Sequence, residues 1–173
     1  MKRKIIMSVA LICLAVLPVL IYHTCFQSKV AYVDIPKVFA GFEMKKELQL
    51  KYKETETARA KLLDSLSFGL QRLSAKVKAN KEDRELMYEF DAQRQDFFNR
   101  KKRLEEDNVA LSNQYDKQIL EQMSQYIMDY GKKKGYDLIL GTEGNGTLMF
   151  ANEKYNISTE VTEFINDKYK GIE

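Results

Sequence analysis

A chain of 173 residues with 31% charged residues and a mean hydropathy of −0.44 has room for one compact domain or one elongated helical one. Its formal net charge of +3 comes from Lys2, Arg3 and Lys4: removing those three from the 28 basic residues leaves 25 against 25 acidic ones. A neutral body excludes the strong basic excess expected of a nucleic-acid binder. The single histidine, His23, and both cysteines, Cys13 and Cys25, precede residue 29, so thiol and imidazole catalysis, Cys/His zinc sites and disulfides are excluded from everything that follows.

Residues 1–28 form a separate N-terminal unit. "MKRK" precedes an uncharged apolar run over 5–22, whose eighteen residues span about 27 Å as a helix, close to the hydrocarbon thickness of a bilayer. The same order describes a secretory signal, although neither "YHTC" nor "CFQS" offers small residues at both −3 and −1. An uncleaved anchor and a cleaved signal both stay open. Either sends the remainder out of the cytoplasm, with the positive tail left inside.

"VAYVDI" at 30–35 is a β-branched run of strand type, and Pro36 suits the first turn of a short helix after it. From Glu43 the pattern is helical: Leu62, Leu66, Leu70, Leu73 and Val77 recur at steps of four, four, three and four. "KANKEDR" at 78–84 interrupts it and reads as the turn of a helical hairpin. A return helix is predicted from about Glu82 to Lys134. Phe90, Phe97, Leu104 and Leu111 lie seven residues apart, but the alternate seam positions Arg94, Lys101 and Asn108 are polar, so the pairing is thinly dressed until Ile119, Met123, Ile127 and Tyr130 restore an apolar face. Lys132–Lys134 suit a helix C-terminus, and Gly135 ends it.

Two short apolar runs, 136–141 and 147–152, flank Gly144-Asn145-Gly146, which predicts a β-hairpin. Ser158 is the expected N-cap of a last helix with Ile157, Val161, Phe164, Ile165 and Tyr169 on one face. The other strand candidate lies at the far end of the helical excursion, so the chain ends must meet. So small a core points to strands shared between subunits. The predicted fold is α+β and mostly α: an arm at 43–134 projects from a β body made by oligomerisation, to which 29–42 and 135–173 contribute. Val30, Tyr32, Val33, Tyr136, Leu138, Leu140, Leu148 and Phe150 are the expected oligomerisation residues.

The stretches "KVAYVDIPKVFAGF", "GYDLIL" and "YNISTEVTEFIN", in that order around a helical hairpin, resemble the Skp/OmpH family of periplasmic chaperones over residues 29–170. The resemblance implies a trimer whose arms enclose unfolded outer-membrane β-barrel proteins without ATP; no Gly-x-x-x-x-Gly-Lys phosphate loop occurs here. It also implies a periplasmic location, with an inner-membrane tether if the N-terminal segment is retained. The exported part departs from the family's basic character, leaving a local basic tip: Arg72, Lys76, Lys78 and Lys81, with no acid between Ser65 and Lys81.

Client contact is expected from Phe68, Leu70, Arg72, Leu73, Lys76, Val77, Lys78, Phe90, Phe97 and Phe98, with hairpin packing the competing use of the stripe residues. Phe68 and Phe98 lie off the stripes and are the best candidates for exposure. Asn145-Gly-Thr147 and Asn156-Ile-Ser158 match glycosylation sequons but read as turn composition. Asp34 and Asp137 lack a base or metal partner, so no catalytic role, metal or cofactor is expected. A holdase for unfolded chains is the leading function; a membrane-tethered adaptor for one folded partner is the alternative.

Overall fold

The computed structural model describes residues 28–143, 146 and 148–172. The N-terminal signal or anchor and Asn145 at the expected turn lie outside them. Strand β1 (Val30–Asp34) leads into the short helix α1 (Ile35–Gly41), then into the long helices α2 (Glu43–Ala79) and α3 (Arg84–Lys134). Strand β2 (Leu138–Thr142), a 3-10 turn (Glu153–Tyr155) and helix α4 (Ser158–Tyr169) complete the order. The chain is mostly helical, with a two-stranded sheet at the root of a helical hairpin. Among the described residues no helix is long and apolar enough to cross a membrane.

The local chemistry explains each boundary. Asp34 caps α1 by accepting a hydrogen bond from the Lys37 amide at 3.0 Å, with Pro36 in the first turn. Asp83 caps α3 in the same way through the Leu86 amide at 3.0 Å, so the return helix starts just beyond Glu82. Gly135 ends α3 with φ 67°, the left-handed conformation that glycine adopts without steric cost. Phe42, between α1 and α2, has no capping side chain of its own. Asn166 of α4 supplies it, accepting from the Glu43 amide at 2.8 Å and donating to the Gly41 carbonyl at 3.0 Å.

Two expectations are corrected. The run at 136–141 does not fold back on 147–152. Residues 138–142 instead pair in parallel with β1, Val30 opposite Leu138 and Asp34 opposite Thr142. Among the described residues 148–152 form no strand. Pairing with β1 lets Ile139 pack against the same core that Ala31 and Val33 fill, which a free-standing hairpin could not offer. Ser158 is not a cap but the first helical residue, and it is buried. Its hydroxyl accepts from the Asp34 amide at 2.9 Å and donates to Asn156 Oδ1 at 2.6 Å. Asn156 Oδ1 also receives the Ser158 amide at 3.1 Å, so the asparagine does the work expected of the serine.

The core lies wholly at the root: Ala31, Val33, Val38, Phe42, Ile119, Met123, Ile157, Val161 and Ile165 are buried there against one another. Phe42 is its aromatic centre, with Tyr169 and Tyr126 edge-on at 5.6 and 6.2 Å. Close approach of α1 and α4 requires Gly41, where an added Cβ would stand 2.7 Å from the Thr162 methyl. The Thr162 hydroxyl is committed to the Ser158 carbonyl at 2.7 Å, so the methyl cannot simply rotate away. Gly41→Ala is expected to cost about 1–3 kcal/mol in urea denaturation followed by circular dichroism, most of it regained when Thr162→Ser removes the methyl.

Candidate binding surfaces on the arm and the root

At about 1.5 Å per residue, the 37 residues of α2 and 51 of α3 extend about 55 and 76 Å. What joins them changes along their length. Near the root, Leu48 and Ile119 are buried. Further out the seam is half-buried at best: Leu63, Leu66, Leu70 and Val77 on α2, and Leu86, Phe90, Phe97 and Leu104 on α3. Among the described residues, Leu73 is the one buried side chain outside the root. Between Phe90 and Leu104 only Phe97 turns inward, as the polar Arg94 and Lys101 foretell. One seam layer is polar, the Arg59 guanidinium donating to Asn108 Oδ1. Leu63, four residues beyond Arg59, takes the inward place expected of Leu62, which is exposed.

The helices are supported from within. Ion pairs three or four residues apart run along them: Lys51–Glu47, Arg94–Asp91, Arg100–Asp96, Lys101–Glu105, Lys102–Glu106 and Lys117–Glu121. Such neighbours favour helix formation without joining one helix to the other.

The residues expected to touch clients divide accordingly. Phe68 and Phe98 are 61% and 57% exposed, in line with their place off the stripes. Arg72 lies over the Phe68 ring at 5.9 Å, and Phe98 stands edge-on to Phe97 at 5.6 Å. Leu73 is spent on hairpin packing. Leu70, Val77, Phe90 and Phe97 are half-buried, and Lys76 and Lys78 are exposed. Leu70, Lys78 and Phe90 share an open groove of about 420 Å³ near the tip. Sequence reasoning missed Met87 and Tyr88, the latter 76% exposed, beside Lys81 and Arg84 at the tip. Their signal was present in "RELMYEF", where two large apolar residues sit between the seam positions Leu86 and Phe90.

The root carries a second surface. Val30, Leu138 and Leu140 are exposed on the outer face of the sheet, opposite the buried Ala31 and Val33. Together with Leu148 and Phe150, Val30 and Leu140 line a groove of about 460 Å³. Two residues expected at this surface turn out to be used within the chain. Val33 faces the core by strand alternation. Tyr136 stacks on Tyr130 at 6.0 Å beneath the Lys29 ammonium at 4.1 Å. Tyr32 keeps an outer position, its hydroxyl donating to Glu153 at 3.1 Å, and desolvation followed by that carboxylate raises its pKa. Asp34 and Asp137 both accept backbone amides, the first that of Lys37 at 3.0 Å and the second that of Lys29 at 2.7 Å. Among the described residues no group of three or more His, Cys, Asp or Glu is placed to hold a metal.

Helix α4 fastens the arm helices at the root. Lys168 pairs with Asp129 of α3 at 2.6 Å, Lys170 with Glu43 of α2 at 2.8 Å, and the Tyr169 hydroxyl donates to Glu47 of α2.

This arrangement, a helical hairpin rooted in a small sheet made from both chain ends, is shared with known proteins. The sequence model of a family described as outer membrane protein (OmpH-like) matches residues 29–165. The chain belongs to the OmpH-like family. Membership accounts for the order of "KVAYVDIPKVFAGF" and "GYDLIL" around the arm. Among solved structures, an OmpH-like protein of Caulobacter crescentus CB15, described as a candidate outer membrane chaperone, has the same fold, with TM-score 0.71 and 11% identity over 82% of this chain and 86% of that one. No curated protein matches this chain in sequence.

The contacts of α4 titrate in opposite directions. Asp129 is held below the ordinary carboxylate range, chiefly by its bond from Lys168, and Glu47 likewise, chiefly by Lys51. Their contribution is present above the ordinary value and lost as pH falls through the lowered one. Tyr169, pushed up to about 12 by its hydrogen bond to Glu47 and then by burial, contributes fully below about 10 and loses that contribution as pH rises towards 12. Urea midpoints are therefore expected to fall below about pH 4 and above about pH 10. Asp129→Asn should lessen the acid limb and leave the alkaline limb as it is, whereas Tyr169→Phe should lessen the alkaline limb and also part of the acid limb, because its hydroxyl helps to hold Glu47 low.

Proposed function

We propose that the chain is an ATP-independent holdase chaperone of the periplasm, which takes up unfolded outer-membrane proteins and keeps them from aggregating. The observation that carries this reading is the row of exposed apolar side chains along an arm whose seam is already thin: Leu62, Phe68, Met87, Tyr88, Phe98 and Val109. Single exposed apolar residues are ordinary on any surface. Here they recur along two helices that share only a thin, mostly half-buried seam beyond the root, on side chains whose contact with a client costs no native packing. Family membership and the name of the Caulobacter protein support a chaperone role.

In this reading residues 43–134 are the arm, and 29–42 with 135–173 make the oligomerisation body. The outer sheet face, Val30, Leu138 and Leu140 with Leu148 and Phe150, is covered by other copies, a trimer by resemblance to the family. Three arms then hold one client by many weak contacts, and avidity replaces tight individual binding. The basic residues Arg72, Lys76 and Lys78 add attraction for acidic client segments. The N-terminal segment directs export and, where retained, tethers the assembly to the inner membrane.

Diluting a urea-unfolded outer-membrane β-barrel protein into buffer with residues 29–173, without nucleotide, should give suppressed turbidity near one oligomer per client. Phe68→Ser with Phe98→Ser should weaken suppression while moving stability by no more than about 0.5 kcal/mol each, because both are exposed. Full suppression by that variant would sink these aromatics as contacts. Absence of suppression from the folded wild-type oligomer would favour an adaptor for one folded partner. Light scattering checks the body separately: Leu140→Asp should shift mass from oligomer towards monomer, and a monodisperse wild-type monomer would remove the shared-body reading.

A further inference from the structure

We propose that one flank of α3 is a docking face for the α3 helix of a second copy, met antiparallel, which covers apolar residues of the arm while no client is bound. The contact between copies stands on α3 itself; its role as a resting cover rests on the holdase reading above.

Met87, Phe98, Val109 and Leu120 follow one another at strict intervals of eleven residues. Eleven residues make three turns of an α-helix to within about 20°, so the four form one line with a step of about 16.5 Å. Each comes one residue after a position turned towards α2, namely Leu86, Phe97, Asn108 and Ile119, and so lies about 100° round the helix from the seam. All four are between 42% and 62% exposed. The hairpin makes no use of this second line.

The charges midway along the line choose the occupant. Lys101 and Lys102 lie on its tip side, Glu105 and Glu106 on its root side. A second α3, laid antiparallel about a twofold axis between Arg103 and Leu104, sets Met87 against Leu120, Phe98 against Val109, and the two lysines against the two glutamates. No other antiparallel register engages all four apolar residues. In-register parallel pairing would set lysine against lysine and glutamate against glutamate. Within one helix Lys101–Glu105 and Lys102–Glu106 stand at 3.9 and 3.8 Å, too long for hydrogen bonds, so these groups keep bonding capacity for a partner. The poorest match sets Asp91 against Asp116, and Arg94 at 3.2 Å from Asp91 offsets it. Arms leaving one body point the same way, so this contact joins two bodies, their arms interleaved over about 50 Å. A few apolar pairs and exposed charges make a weak contact, which an unfolded chain binding at many points can displace.

Disulfide trapping tests the register. Cys13 and Cys25 are replaced by serine, and the full chain is carried in nanodiscs, so that arms on different discs meet in solution. Oxidising Met87→Cys chains mixed with Leu120→Cys chains should give a linked pair of twice the chain mass, while neither variant links to itself. Carried on both partners, Glu105→Lys with Glu106→Lys should lower linking about tenfold, and giving one partner Lys101→Glu with Lys102→Glu instead should restore it. Circular dichroism checks that every variant keeps its helix. A urea-unfolded outer-membrane β-barrel protein, diluted in before oxidation, should reduce linking. Self-linking through Met87→Cys would reveal parallel arms and overturn the register. Absence of linking between helical chains overturns the face, and linking untouched by charge reversal overturns the charge match. Linking that a bound client leaves unchanged overturns the cover. Linking by a chain that fails to suppress client turbidity keeps the contact and removes only the holdase reading.

Discussion

Strand β1 is the constraint on which the rest depends. Its five residues receive β2 along one edge, and on the other Tyr32 accepts the Ile157 amide at 3.0 Å while the Asp34 amide reaches Ser158. Those partners lie more than 100 residues away in the chain. Closing so large a loop costs conformational entropy, although that cost rises only slowly with length. The return is a sealed core in which Ala31 and Val33 face Val161 and Ile165. Without that closure, α2 and α3 would have no common base, and Asn166 could not bridge the break at Phe42.

Outside the root the physics is different. A helix needs only its own hydrogen bonds and favourable neighbours three and four residues away, and the ion pairs of α2 and α3 supply the second. A helical pair needs a shared apolar seam, and this one has few fully buried side chains beyond the root. The arm is therefore locally well formed and laterally weak. That separation lets two long helices project without collapsing, while leaving Phe68, Tyr88 and Phe98 uncovered. A fully dressed seam would have drawn more apolar side chains inward and left fewer for a partner.

Much of this was legible because it is local. The two long helices, the turn near Lys81 and the glycine stop at 135 follow from periodicity and capping chemistry, which a few neighbouring residues determine. The meeting of the chain ends followed by elimination, since 30–35 was the only other strand. Strand direction did not, because "GYDLIL" serves a hairpin or a parallel ladder equally well, and the choice depends on which edge β1 offers. Ser158 and Asn156 exchanged roles for a similar reason: a serine before a helix reads as its cap until Asp34, 124 residues away, claims its hydroxyl. On the arm, Leu62 and Leu63 are indistinguishable by spacing alone, and the phase depends on where Arg59 reaches Asn108.

The neutral charge of residues 29–173 bears on how such an arm would hold its partner. A strongly basic surface would attract acidic chains from a distance and hold them in a way that salt weakens. Here six ion pairs join charges along the arm, and a basic stretch without acids lies between Ser65 and Lys81. Attraction along the shaft then falls to the exposed aromatic and aliphatic side chains, whose contacts are short-ranged and little affected by salt. Holding by many such contacts is broad in specificity, and each can be released without releasing the rest. A grip built that way would depend on how many arms are present together more than on any residue within one, and in the proposed reading the outer face of the sheet is what would gather them.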